Sequence, residues 1–215
     1  MKGVTLRLAV LASLAFVLSP PVCADEADRG EAPQRGLHAK IEYCKICHGF
    51  SGQGYRGFIP IPRLAGQQTE YFENQLRAYA ERRRENRYMY AVARTLSPAT
   101  RSALAAHFRG LNAGPWGGAP RHLVAAGRRL YEEGAPETNV PACMACHGAD
   151  AKGVDAIPRL AGQLPDYIAN KLVNWGRERG QDSATPDPSA VMLPTSHNLT
   201  RSQIAAVAAY LSYQQ

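Results

Sequence analysis

Four residues in this chain sit at a spacing that supports a specific covalent chemistry. Cys44-Lys45-Ile46-Cys47-His48-Gly49 recurs as Cys143-Met144-Ala145-Cys146-His147-Gly148, 99 positions later. Two thiols three positions apart can add to the two vinyl groups of one porphyrin. The histidine next to them then comes over one face of the ring and ligates iron. Cys-x-x-Cys-His is the attachment signature of a c-type haem, and two copies predict two covalently bound haem c groups. The other uses of such cysteines fit less well. A four-cysteine zinc site would join pairs 95 residues apart and leave His48 and His147 without a role. A thioredoxin-like pair needs a βαβ setting, which the pattern lacks. A CxxC disulfide is usually a reactive bridge and not a structural one.

Iron held by histidine needs a ligand on its other face. A thioether there favours ferrous iron and raises the potential. Beyond the leader described below, the methionines are Met89, Met144 and Met192. Met144 lies between two cysteines, on the His147 side of the ring, and reads as packing. Met89 and Met192 fall 41 and 45 residues after His48 and His147, one per copy, and are the expected sixth ligands. His197 lies in the same segment as Met192 and competes with it for the second iron. His38, His107 and His122 lack repeat partners and read as helix or surface positions.

The elements that must hold these residues also repeat. Ile61-Pro62-Arg63-Leu64-Ala65-Gly66-Gln67 recurs unchanged from Ile157 to Gln163, 96 positions on, so the first copy has a loop three residues longer before it. A helical stripe follows in each copy: Phe72, Leu76, Tyr79 and then Ile168, Leu172, Trp175. A final helix ends each copy. The first opens at Ser97 with Pro98 in its first turn, with a stripe of Leu104, Phe108 and Leu111. The second opens on the capping-box pair Thr200 and Gln203, with a stripe of Ile204, Val207, Ala208 and Leu211. No run alternates with period two. The fold class is therefore all-α, in two tandem domains, residues 25–113 and 121–215, joined by a Gly/Pro-rich linker at 114–120.

Composition sets the compartment. Residues 1–24 carry Lys2 and Arg7, an apolar run from Leu8 to Leu18, and Val22-Cys23-Ala24, which predicts a signal peptide cleaved after Ala24. That run is too short to span a bilayer comfortably, and bulky Val22 disfavours a lipid anchor on Cys23. Cleavage removes Cys23 and leaves 23 basic and 18 acidic residues, a charge of +5 that four haem propionates reduce to +1. Neither nucleic acid nor strong attraction to an anionic membrane follows. With 45% apolar and 8% aromatic residues, two small cores are short of large side chains, and a haem would staple each. Arg82-Arg83-Arg84 reads as a solvated helix end, with a docking patch for an acidic partner as the sharper reading.

The two CxxCHG motifs, the twin IPRLAGQ blocks and the Met-to-final-helix segments resemble the dihaem cytochrome c4 family over essentially the whole chain after the leader. The resemblance implies two class I cytochrome c folds about a pseudo-twofold axis, with the haems close across the interface. It implies that Pro62 and Pro158 offer carbonyls to the Nδ1–H groups of His48 and His147. Arg63 and Arg159 would lie near the propionates, and Leu64 and Leu160 against the rings. The segment Ala190 to His197, with Pro194, departs from the family pattern. The implied function is periplasmic electron transfer, by a soluble or peripherally membrane-bound carrier, from a quinol-oxidising complex or a dehydrogenase to a terminal oxidase or reductase. The alternatives are a dihaem subunit of a dehydrogenase, and a peroxidase, which would need an open iron position.

Overall fold

The computed structural model describes residues 25–179 and 188–215. The predicted leader and the stretch from Thr185 to Asp187 lie outside the described residues. The first copy contributes α1 (Asp25–His48), α2 (Thr69–Ala80), α3 (Arg87–Ala93) and α4 (Pro98–Arg109). The second contributes α5 (Val124–Glu133), α6 (Met144–His147), α7 (Pro165–Val173), α8 (Trp175–Glu178), α9 (Met192–Asn198) and α10 (Arg201–Ser212). Pairing between extended segments among the described residues is limited to three isolated bridges. The fold is all-helical.

Each copy closes its own core where the apolar stripes meet. In the first, Phe72, Leu76 and Tyr79 of α2 pack with Leu104 and Phe108 of α4 and Ile41 of α1, and the Phe72 and Phe108 rings stack at 5.6 Å. In the second, Ile168 of α7 meets Val207, Ala208 and Leu211 of α10 and Leu130 and Tyr131 of α5. The final helices start where their caps place them. The Ser97 hydroxyl accepts from the Thr100 N–H at 3.2 Å, and Thr200 and Gln203 form the reciprocal capping box.

The copies differ where local sequence breaks a helix. His48 ends one continuous helix, whereas Gly134, Pro136 and Pro141 interrupt the second copy, so His147 sits on the four-residue α6. Trp175, expected to continue the α7 stripe, starts α8 after a break at Asn174. Met89 and Met192 lie in short helices of their own, α3 and α9. The Asn86 side chain caps α3 by accepting from the Tyr88 and Met89 N–H groups, both at 3.0 Å.

The segment between the copies is strapped along both. The Gly117 N–H donates to Ser212 O at 2.8 Å, and the Tyr213 hydroxyl donates to Ala119 O at 2.6 Å. Trp116 donates its indole N–H to Gln53 O in the first copy and its backbone N–H to Gly162 O in the second.

Candidate haem sites

The twin blocks reach the histidines through matched turns. The Gly52 carbonyl accepts from the Leu64 and Ala65 N–H groups at 2.7 and 2.9 Å; the Ala151 carbonyl does the same for Leu160 and Ala161 at 2.8 and 3.0 Å. The turns close tightly only because glycine stands at Gly54 and Gly153. A Cβ there would come within 2.6 Å of Ile61 O or 2.3 Å of Ile157 O, and both residues have positive φ. The motif glycines then dock on the final helices, Gly66 N–H to Phe108 O at 2.8 Å and Gly162 N–H to Leu211 O at 2.9 Å.

This places a proline carbonyl beside each histidine. His48 donates its Nδ1–H to Pro62 O at 2.9 Å, and His147 donates to Pro158 O at 3.1 Å. Both rings are buried, and burial pushes both below the usual imidazole range, with the proline carbonyl acting weakly the other way. The imidazoles are therefore neutral at neutral pH, with Nδ1 committed and Nε2 carrying the free lone pair, the form that binds a metal.

Both histidines face one cavity of about 1760 Å³. Small-molecule pockets are commonly about 300–1,000 Å³, so this one suits two large cofactors better than one small ligand. Cys44, Cys47 and Met89 line it with His48; Cys143, Cys146 and Met192 line it with His147. None of the four cysteines is in a disulfide; the first of each pair is half-buried and the second exposed. Burial raises Cys44 and pushes Cys143 up to about 11, so these sulfurs sit in an apolar wall. Leu64 and Leu160 line the cavity and pack on their cores.

The other sulfur and imidazole groups are sorted by position. Met144 packs on the second core and does not line the cavity. His197 is exposed and lies off the cavity, five positions from Met192 on α9, which turns it well over a quarter of a circle away. His38 is exposed beside Glu42, His122 is exposed, and His107 stands edge-on to Phe108 at 5.2 Å.

Arg63 and Arg159 are buried beside the cavity, in the seam where the two copies meet, with no carboxylate ion pair among the described residues. Arg63 donates Nε–H to Ala65 O at 2.9 Å and Nη1–H to Gly114 O at 2.7 Å; Arg159 donates Nε–H to Ala161 O at 3.0 Å. The Nη2 atom of each is buried without a partner. Burial, with the neighbouring Arg159 adding repulsion, pushes Arg63 down to about 10. Two desolvated cations facing one cavity call for anionic ligands. Haem propionates meet that need. The thiols, neutral imidazoles, thioethers and orphaned guanidinium nitrogens together fit two haem c groups.

Two features of the seam escaped the sequence reading. Gln67 and Gln163 cross it reciprocally. Gln163 accepts from Arg63 N–H at 2.8 Å and donates to Arg63 O at 3.1 Å, while Gln67 accepts from Arg159 N–H at 2.8 Å and donates to Arg159 O at 3.2 Å. Their identity in both blocks was the available signal. The second is a correction: Arg84 is buried, not solvated. It donates to Gln75 Oε1 at 2.7 Å and the Tyr167 hydroxyl at 2.8 Å, and it bridges to Arg179 of the second copy. Its flat guanidinium stacks on Tyr79 at 4.7 Å, which a helix-end charge count does not show. Arg82 lies over the Tyr90 ring and Arg83 pairs with Glu81, so the run is held internally.

Known proteins match this arrangement. Residues 124–215 match the family model described as cytochrome c. The chain is 36% identical to cytochrome c4 of Thiocapsa roseopersicina over 183 residues, covering 83% of this chain and 91% of the relative. It is 36% identical to the thiosulfate dehydrogenase electron acceptor of Thiomonas intermedia over 174 residues, covering 80% of this chain and 78% of the relative. It superposes on the Acidithiobacillus ferrooxidans cytochrome c4 structure with a TM-score of 0.67 and 35% identity, over 79% of this chain and 98% of that one. Its paired haem-attachment motifs, its tandem helical fold and these likenesses place the chain in the cytochrome c4 family, electron carriers with covalently bound haem c and not enzymes.

Proposed function

We propose that this chain is a periplasmic carrier that takes electrons from a quinol-oxidising complex or a dehydrogenase and hands them to a terminal oxidase or reductase. In this reading residues 1–24 are a cleaved signal peptide, and residues 25–113 and 121–215 are the two haem domains, joined by 114–120. The observation that carries it is the convergence, in one cavity, of a neutral imidazole and a thioether from each copy: His48 with Met89, and His147 with Met192.

Haem c, bound through the cysteine sulfurs, supplies a one-electron iron couple and a conjugated edge. The chain's own residues set how that couple behaves. Cys44, Cys47, Cys143 and Cys146 fix the groups in place. The Pro62 and Pro158 carbonyls hold the imidazoles in one orientation and raise their basicity. Met89 and Met192 supply soft sulfur, which favours the reduced state. Arg63 and Arg159 neutralise propionate charge in the seam. With His48 and Met89 holding one group, and His147 and Met192 the other, neither iron would keep a position open to a substrate, and the chain would move electrons without rearranging bonds. A redox titration followed by absorption tests this: two reversible, low-spin couples per chain support it, and a resting high-spin centre with peroxide turnover contradicts it.

The likeness to a thiosulfate dehydrogenase electron acceptor favours a second reading, in which the donor is a dehydrogenase of that kind and the chain serves as its electron-accepting subunit. Co-purification of the chain with a thiosulfate dehydrogenase as a stable complex supports that reading. A holoprotein that isolates alone and exchanges electrons with such partners only transiently supports the first.

A further inference from the structure

The two copies diverge most where they meet water beside the paired cysteines. Tyr43, Ile46 and Phe50 are 59%, 75% and 87% exposed. Tyr43 and Ile46 stand at i and i+3 with exposed Cys47 at i+4 near the end of α1, and exposed Phe50 follows two residues past that end, beyond Gly49 at positive φ. Ninety-nine positions on, the second copy has Ala142, Ala145 and Ala149. The longer loop of the first copy adds exposed Phe58 and Ile59 at the cavity mouth. Ile46 and Phe50 do not line the cavity, so whatever fills it leaves them in water. Monomeric proteins rarely keep a contiguous apolar patch of this kind unless something binds it.

Charge follows the same division. Residues 25–113 carry 14 basic and 9 acidic side chains, and residues 121–215 carry 9 of each. Nearby Lys45 is neutralised by Glu42 at 2.9 Å and Arg56 by Asp166 at 2.7 Å. Lys40, close enough to Cys44 to act on its thiol, and Arg87, over Tyr88 at 5.5 Å, are exposed at the cavity mouth. Neither has a carboxylate partner among the described residues.

We propose that this face of the first domain, centred on Tyr43, Ile46 and Phe50 and rimmed by Lys40 and Arg87, docks a redox protein whose own apolar patch is bordered by carboxylates. The proposal rests on the electron-carrier identity of the chain and adds which domain receives the partner and by what chemistry. The apolar centre supplies affinity on desolvation, and the basic rim steers the encounter and fixes register. The alanines of the second domain leave that end without such an anchor.

Stopped-flow electron exchange between the holoprotein and a plant plastocyanin, a copper protein with an acidic patch beside an apolar one, tests this. Ferricyanide serves as the small reagent that needs no docking face. The combined variant Ile46→Ala, Phe50→Ala, which gives the first domain the residues of the second at two positions off the cavity, should slow exchange with the copper protein at least tenfold. Lys40→Glu should slow it several-fold at low salt and flatten its fall with ionic strength. Absorption spectra should stay as in the parent for both, and the ferricyanide rate as in the parent for the combined apolar variant, which separates docking from carrier chemistry. A combined variant as fast as the parent would overturn the proposal. So would a parent rate that rises with salt, or equal slowing by Val154→Ser with Val173→Ser in the second domain. A dimer in sedimentation that the combined variant dissolves would assign the face to a second copy and overturn it too.

Discussion

Met192 and His197, five positions apart on α9, show how helix position bears on two candidate ligands. Both were open from sequence, since they share one segment and either atom can bind iron. On α9 they point to different sides, Met192 to the cavity and His197 to solvent. Met192→Ala should therefore lower the potential of one haem or turn it high-spin, and Met89→Ala should do the same to the other. His197→Ala should leave both titration curves where they were. A spectroelectrochemical titration of the three variants checks this, and a shift on His197→Ala would reassign the ligand. Gln67 and Gln163 make a second residue-scale case. Each amide satisfies the backbone of a buried arginine in the other copy, so truncation strands buried N–H and C=O groups. Gln163→Ala should cost about 1–3 kcal/mol in chemical denaturation of the holoprotein. A near-zero cost would mean that the seam rearranges to satisfy them.

In the second copy α5 crosses α10 closely. Gly127 lies there with no room for a side chain, as a Cβ would stand 1.9 Å from Ala206 O. Gly127→Ala should force the two helices apart and destabilise by at least about 1–3 kcal/mol, read as a lower thermal midpoint. Thr200→Ala, which removes the α10 capping box, should cost about 1 kcal/mol by the same measurement. Much of this level was legible in the sequence. The α2, α4 and α10 stripes and the Ser97 and Thr200 caps rest on local periodicity and local hydrogen bonds, which a sequence carries openly. The paired cysteines, histidines and methionines were legible through their repetition. What was not legible depends on partners distant in sequence. Arg84 is buried because Gln75 and Tyr167 receive it, and Tyr167 belongs to the other copy. The break that starts α8 at Trp175 follows from Asn174, whose backbone leaves the helical region although its residue type does not forbid it.

At the scale of the whole molecule, the cavity and the seam are one feature. It runs between two small cores and is edged by buried arginines with no carboxylate ion pair among the described residues, so the polypeptide alone is poorly stabilised there. Chain made without haem attachment should be largely unfolded by far-ultraviolet circular dichroism, whereas the holoprotein should melt cooperatively. A natively helical apoprotein would show that the cores suffice. The central claim is that each domain holds one haem c between its own histidine and its own methionine. The sulfur-to-iron charge-transfer absorption of the oxidised holoprotein, quantified per chain, addresses it most directly. Two methionine-ligated irons are expected, with one remaining in Met89→Ala and one in Met192→Ala. Full absorption surviving either substitution, or none in the parent, would contradict the account.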